Sequence, residues 1–85
     1  MPEIFRFFGL RFLFYANDHQ PIHVHVVKGK GSTAAQAKFN IEPVKLIENN
    51  GLSKSELKIA EAIIEENKEI IAEHWNKFFN NAKSR

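Results

Sequence analysis

The chain has no cysteine, and only four glycines and three prolines among its 85 residues. Without thiols, disulfide scaffolds, thiolate zinc sites and cysteine nucleophiles are all excluded. The scarcity of Gly and Pro excludes a collagen-like repeat and a low-complexity linker. With 44% hydrophobic and 26% charged residues, the composition is that of a folded globular chain and not of a disordered one. Apolar runs near the start last a few residues, far short of the ~20 that a membrane helix needs. Glu3 and Arg6 interrupt the first such stretch and no small-residue cleavage site follows, so no secretory signal is expected. These absences point to a cytoplasmic protein that does not enter a membrane. The length holds one core, and the expected organisation is a single domain, 1–85.

The net charge of +2 is unevenly spread. Residues 1–40 carry Arg6, Arg11, Lys28, Lys30 and Lys38 against Glu3 and Asp18, and residues 41–85 carry seven basic groups against eight Glu. Three of the four histidines lie in the basic half, so mild acid would make it more basic still. Such an imbalance permits an anionic partner without demanding one.

Two halves read differently along the chain. In the first, Leu10, Phe12 and Phe14 alternate with Arg11, Leu13 and Tyr15, the period of a strand. Asn17-Asp18-His19-Gln20-Pro21 follows as a turn cluster, because Asn and Asp bond their own backbone and Pro fixes φ. His23-Val24-His25-Val26-Val27 alternates again, and Gly29-Lys30-Gly31-Ser32 closes a hairpin. It lacks the spacing and following helix of a phosphate loop. A third strand is expected from about Ala34 to Ile41 and a short fourth from Val44 to Ile47, with Pro43 confining that region to an edge or an interruption.

The second half opens with a capping box, Ser53-Lys54-Ser55-Glu56. Leu57, Ala60, Ile63, Ile64, Asn67, Ile70, Ile71, Trp75, Phe78 and Phe79 then recur at spacings of three and four, one apolar helix stripe with Lys and Glu opposite. No Gly or Pro interrupts residues 53–81, so the pattern predicts one long helix, with Asn67 the place where any kink would fall. The aromatic group Trp75, Phe78 and Phe79 reads as core or dimer contact, and His74 beside the stripe as a surface histidine.

Together these elements predict an α+β fold: a three- to four-stranded antiparallel sheet over residues 4–48, with one long C-terminal helix, 53–80, packed on one face. Leu10, Phe12, Phe14, Val24, Val26, Ala35, Ala37 and Phe39 would meet the helix. Arg11, Leu13, Tyr15, His23, His25, Gln36 and Lys38 would form the opposite face, which nothing else in the chain is expected to cover. An exposed mixed surface of that kind meets a partner or a second copy of the chain.

His19, His23 and His25 are the most unusual local feature. Residues two apart on a strand project to one face, so His23 and His25 stand ~7 Å apart along it, and the turn at Pro21 could fold His19 back toward them. Such a cluster could ligate zinc or a similar metal, although a complete site would need Glu42, Glu48, a water or a second chain. It could supply a general acid and base to metal-free phosphodiester cleavage, with Arg11, Lys28 or Lys38 offsetting the phosphate charge. It could bind a partner in a pH-dependent way. The plain alternative is a set of strand histidines that pair with Asp18 or Tyr15 and carry no chemistry.

Met1-Pro2-Glu3-Ile4, Arg6-Phe7-Phe8-Gly9, Tyr15 with Asn17-Asp18-His19, and Pro21-Ile22-His23-Val24-His25-Val26, in that order, resemble the domain of unknown function 4160 family of small bacterial proteins. Members typically begin MPxIxxFxG and carry a DHxPPHFHV-type segment, and the C-terminal helix near Glu73-His74-Trp75 is also similar. This chain departs in having Gln20-Pro21-Ile22 where two prolines are usual and Val24 where Phe is usual. Its third strand is also more basic than is common. The family supplies no agreed catalytic residues, and its motif maps only onto His19, Pro21, His23 and His25. Its genes often sit beside a second small protein, an arrangement resembling toxin–antitoxin modules. The resemblance therefore implies a protein partner encoded nearby and a toxic or regulatory activity. If the protein is catalytic, the histidine cluster points to metal-free RNA cleavage, with one histidine as base, another as acid, and Arg11 or Lys38 on the phosphate. A non-catalytic binding module and a zinc-dependent hydrolase are the alternatives.

Overall fold

The computed structural model describes residues 3–15 and 21–83. Five strands come first: β1 (Glu3–Phe7), β2 (Leu10–Leu13), β3 (His23–Lys28), β4 (Ala35–Ile41) and β5 (Val44–Asn50). Two helices follow, α1 (Lys54–Glu66) and α2 (Lys68–Lys83). The strands lie in chain order as one antiparallel meander, β1-β2-β3-β4-β5. The α+β class and the antiparallel sheet match the expectation, while the count differs at both ends of the chain.

The extra strand is β1, whose Phe5 and Phe7 pair with Phe12 and Leu10 across a two-residue loop, Phe8-Gly9. β5 runs past Ile47 to Asn50, with an irregularity opposite Lys38 and Phe39. Pro43 sits in the two-residue connection between β4 and β5, after a cis Glu42–Pro43 bond. There its missing N–H disturbs no ladder.

The expected single helix is two helices, and Asn67 divides them. The Asn67 side chain donates to the Ile63 carbonyl at 2.7 Å, occupying the acceptor its own N–H would use in an α-helix. That N–H turns instead to the Ile64 carbonyl at 3.1 Å, and the ladder restarts with Ile71 N–H donating to the Asn67 carbonyl at 2.9 Å. The backbone of Asn67 leaves helical values (φ −124°, ψ 22°). A polar side chain competing for backbone groups ends the helix without Gly or Pro.

At the start of α1 the capping box is complete. Glu56 N–H donates to Ser53 Oγ, and Ser53 N–H donates to Glu56 Oε1. Just before it, Asn49 bonds both backbone groups of Leu52 at 3.1 Å, which sets the turn from sheet to helix. Gly51 lies in that turn at φ +107°, and an added Cβ would stand 3.0 Å from the Ala35 Cβ. Only glycine suits both the conformation and the space.

Leu10, Phe12, Phe14, Val24, Val26, Ala37, Phe39 and Ile41 on the sheet pack against Leu52, Ala60, Ile64, Ile71 and Trp75. Leu57, Ala60, Ile63, Ile64, Ile71, Trp75 and Phe79 of the expected stripe belong to or pack on this core, whereas Ile70 is exposed and Phe78 meets the Phe79 ring. No helix among the described residues is long and apolar enough to cross a membrane.

Candidate functional site

The opposite sheet face is partly closed, and this corrects the expectation of an uncovered surface. Leu13, Val27, His23 and His25 are all buried there, with Leu13 only 1% exposed and the histidines 8% and 9%. Part of the cover is Tyr15, at the end of β2. Its hydroxyl donates to Gln36 Oε1 on β4 at 3.0 Å, so the side chain crosses β3. In doing so its ring rests edge-on against His25, centroids 4.4 Å apart.

His23 and His25 are brought together, with ring centroids 5.2 Å apart and nearly perpendicular. They occupy different surroundings. His23 opens β3, and its ring packs 5.3 Å from that of Trp75 on α2. Its Nδ1 lies 2.9 Å from the Pro21 carbonyl. That bond assigns the proton of the neutral ring to Nδ1 and the lone pair to Nε2. Trp75 in turn packs at a tilt against Phe79, centroids 4.3 Å apart, and meets Phe14 edge-on at 5.1 Å. His23 is thus fixed between a backbone carbonyl and the aromatic core.

His25 faces the other way along the face, toward β4 and β5. In the register, Leu13, His25, Lys38 and Glu48 lie opposite one another on four successive strands. Adjacent strands are about 4.8 Å apart, so Lys38 stands between His25 and Glu48, which are roughly 10 Å apart at their Cα atoms. His25, Gln36, Lys38, Glu48 and Asn50 line a shallow pocket of about 80 Å³.

The other expected anion-binding residues lie apart from this row. Arg11 shares the face but donates to the Gly29 carbonyl at 2.8 Å, near the far end of β3. Lys28 projects to the helix side, where it pairs with Glu56. This pairing and the Ser53 N–H hold the Glu56 carboxyl below its ordinary pKa. His19 lies outside the described residues. Among the described residues no three His, Cys, Asp or Glu side chains are grouped so as to hold a metal ion. Glu42, one of the carboxylates a metal site would have needed, is exposed in the β4–β5 turn. His74 is exposed, as expected.

Of this pocket, sequence reasoning passes over Asn50, places Gln36 only on the face, and offers Glu48 only as a carboxylate for a metal. The signal for them is register: once Lys38 is opposite His25, the next strand must supply the neighbouring group. The bulge in β5 hides that register from a simple alternation count.

No curated protein and no solved structure matches the chain. A family model described as Domain of unknown function (DUF4160) matches residues 9–76, a span that includes His23, His25, Lys38, Glu48 and Trp75. The chain belongs to this family.

Proposed function

We propose that the protein is the active member of a toxin–antitoxin-like pair in the cytoplasm, and that it cleaves RNA without a metal in the pocket between His25 and Glu48. The observation that carries this reading is the row His25–Lys38–Glu48, an imidazole and a carboxylate on either side of a cation, all lining one pocket. A pocket of about 80 Å³ has room for a phosphoryl group. One of the two flanking groups takes the proton of a ribose 2′-hydroxyl as its oxygen attacks phosphorus. The other gives a proton to the departing 5′-oxygen. Lys38 offsets the charge that builds on the non-bridging oxygens. The products are a 2′,3′-cyclic phosphate and a 5′-hydroxyl end, with no water consumed. His23 serves as a positioning residue that holds the His25 ring. The partner and the toxic role come from the family resemblance.

The test is cleavage of a single-stranded RNA in the presence of a chelator, together with colony formation after induction. Wild-type protein should cut and arrest growth. Glu48→Gln, a surface change, and His25→Ala should each lower cleavage by about a hundredfold or more, and Lys38→Ala should lower it similarly. An inert wild-type protein, or a fully active Glu48→Gln variant, would refute the reading. A second reading, a non-catalytic protein-binding module, draws on Leu46 and Ile47, which are exposed on the edge strand β5 beside the pocket. An extended segment of a partner protein could pair there. Loss of partner binding on replacing Ile47, with no RNA cleavage by any form, would favour it.

A further inference from the structure

We infer that the β1–β2 hairpin tip docks into the α1–α2 junction of a second copy of this chain, forming a two-fold dimer. This goes beyond the pocket reading and does not depend on it. Phe8 is 80% exposed and sits at φ +53°, followed by Gly9 at φ +76°. A two-residue loop with both residues at positive φ favours Asn-Gly. A phenylalanine there is opposed twice, by the backbone, at about 1 kcal/mol or more, and by water. Fold stability therefore gives no reason for its presence, whereas a contact does.

Beside the tip lies an apolar groove of about 310 Å³ lined by Phe7, Phe8, Ala62, Ile63, Glu66 and Asn67. The helix break at Asn67 opens it, and Ile70, on the first turn of α2, is 45% exposed. Knob and groove thus share one patch. Their charges also oppose: Arg6 precedes the tip, while Glu66 lines the groove, with Glu61, Glu65 and Glu69 near it in the sequence against Lys68. Arg6 shares its charge with Glu3 at 3.0 Å but stays exposed. Lys68 is within 3.7 Å of Glu65. A foreign partner of one charge would match only half of such a surface. A two-fold axis sets each basic aromatic tip on the other copy's acidic groove and satisfies both halves at once.

The experiment is sedimentation of the purified chain from micromolar to submillimolar concentration, with circular dichroism to check folding. Wild type should sediment at twice 9.8 kDa. Phe8→Asn should be a folded monomer, weakened about a hundredfold in self-association, since Asn accepts the turn. Glu66→Arg and Arg6→Glu should each weaken the dimer about tenfold, and a mixture of the two should form a heterodimer in preference to either homodimer. A monomeric wild type, a Phe8→Asn dimer of unchanged affinity, or no heterodimer preference would each overturn the proposal.

Discussion

Leu13→Ala separates two readings of the same strand. Alternation assigns Leu13 to a solvated face, where truncation changes stability by no more than about 0.5 kcal/mol. In the structure Leu13 is 1% exposed, beside His25. Removing three buried carbons at about 0.8 kcal/mol each, plus the cavity left behind, gives a loss of about 2–5 kcal/mol. A chain of 85 residues is stabilised by about 4–13 kcal/mol in total, so the variant should fold but marginally. At about 4–8 °C per kcal/mol for a domain of this size, Tm should fall by about 8–40 °C. Urea denaturation followed by circular dichroism should show a lower midpoint with an unchanged slope. Ile59→Ala, at an exposed position on α1, is the control and should change stability by about 0.5 kcal/mol or less. A Leu13→Ala variant as stable as that control would refute the closed sheet face, and with it the buried setting of His25.

Three further outcomes follow from local geometry. Gly51→Ala should cost about 1–3 kcal/mol, since it adds positive-φ strain to a 3.0 Å approach to Ala35; a thermal melt equal to wild type would contradict this. Ser53→Ala removes the acceptor of the Glu56 N–H and should lower stability by about 1 kcal/mol, read by the same melts. The Glu56 carboxyl is held below its ordinary pKa by Lys28 and Ser53, so its contribution is present above the ordinary carboxylate range and is lost as pH falls through the lowered value. Wild type should therefore exceed Glu56→Gln in Tm at neutral pH, with the gap closing in acid. A gap that widened in acid would show the opposite sign.

Much of the architecture was legible because it rests on short-range chemistry. The capping box Ser53–Glu56, the Gly29–Ser32 turn and the alternation of Leu10, Phe12 and Phe14 each specify local conformation and one buried face. β1 was harder to read: Ile4 beside Phe5 and Phe8 beside Phe7 break the alternation, and a Phe-Gly loop is a poor hairpin signal. Asn67 was legible as the weak point of the helix, but not that its side chain would take the Ile63 carbonyl. At the site, spacing brought His23 and His25 together correctly. It could not show that Tyr15 crosses β3 to Gln36, because alternation tells which side a residue faces and not what lies over it. Alternation does set Lys28 on the other side from His23 and His25, but it could not separate Lys38 from Arg11; only the strand register does that.

The only tryptophan in the chain is Trp75, and its ring lies 5.3 Å from His23, itself 5.2 Å from His25. Indole emission responds to the polarity and charge of its immediate surroundings, so this protein carries an optical reporter wired to its own candidate site. Ligand entry, histidine substitution or acidification can each be followed as a change in intrinsic fluorescence, with no label and no competing indole signal.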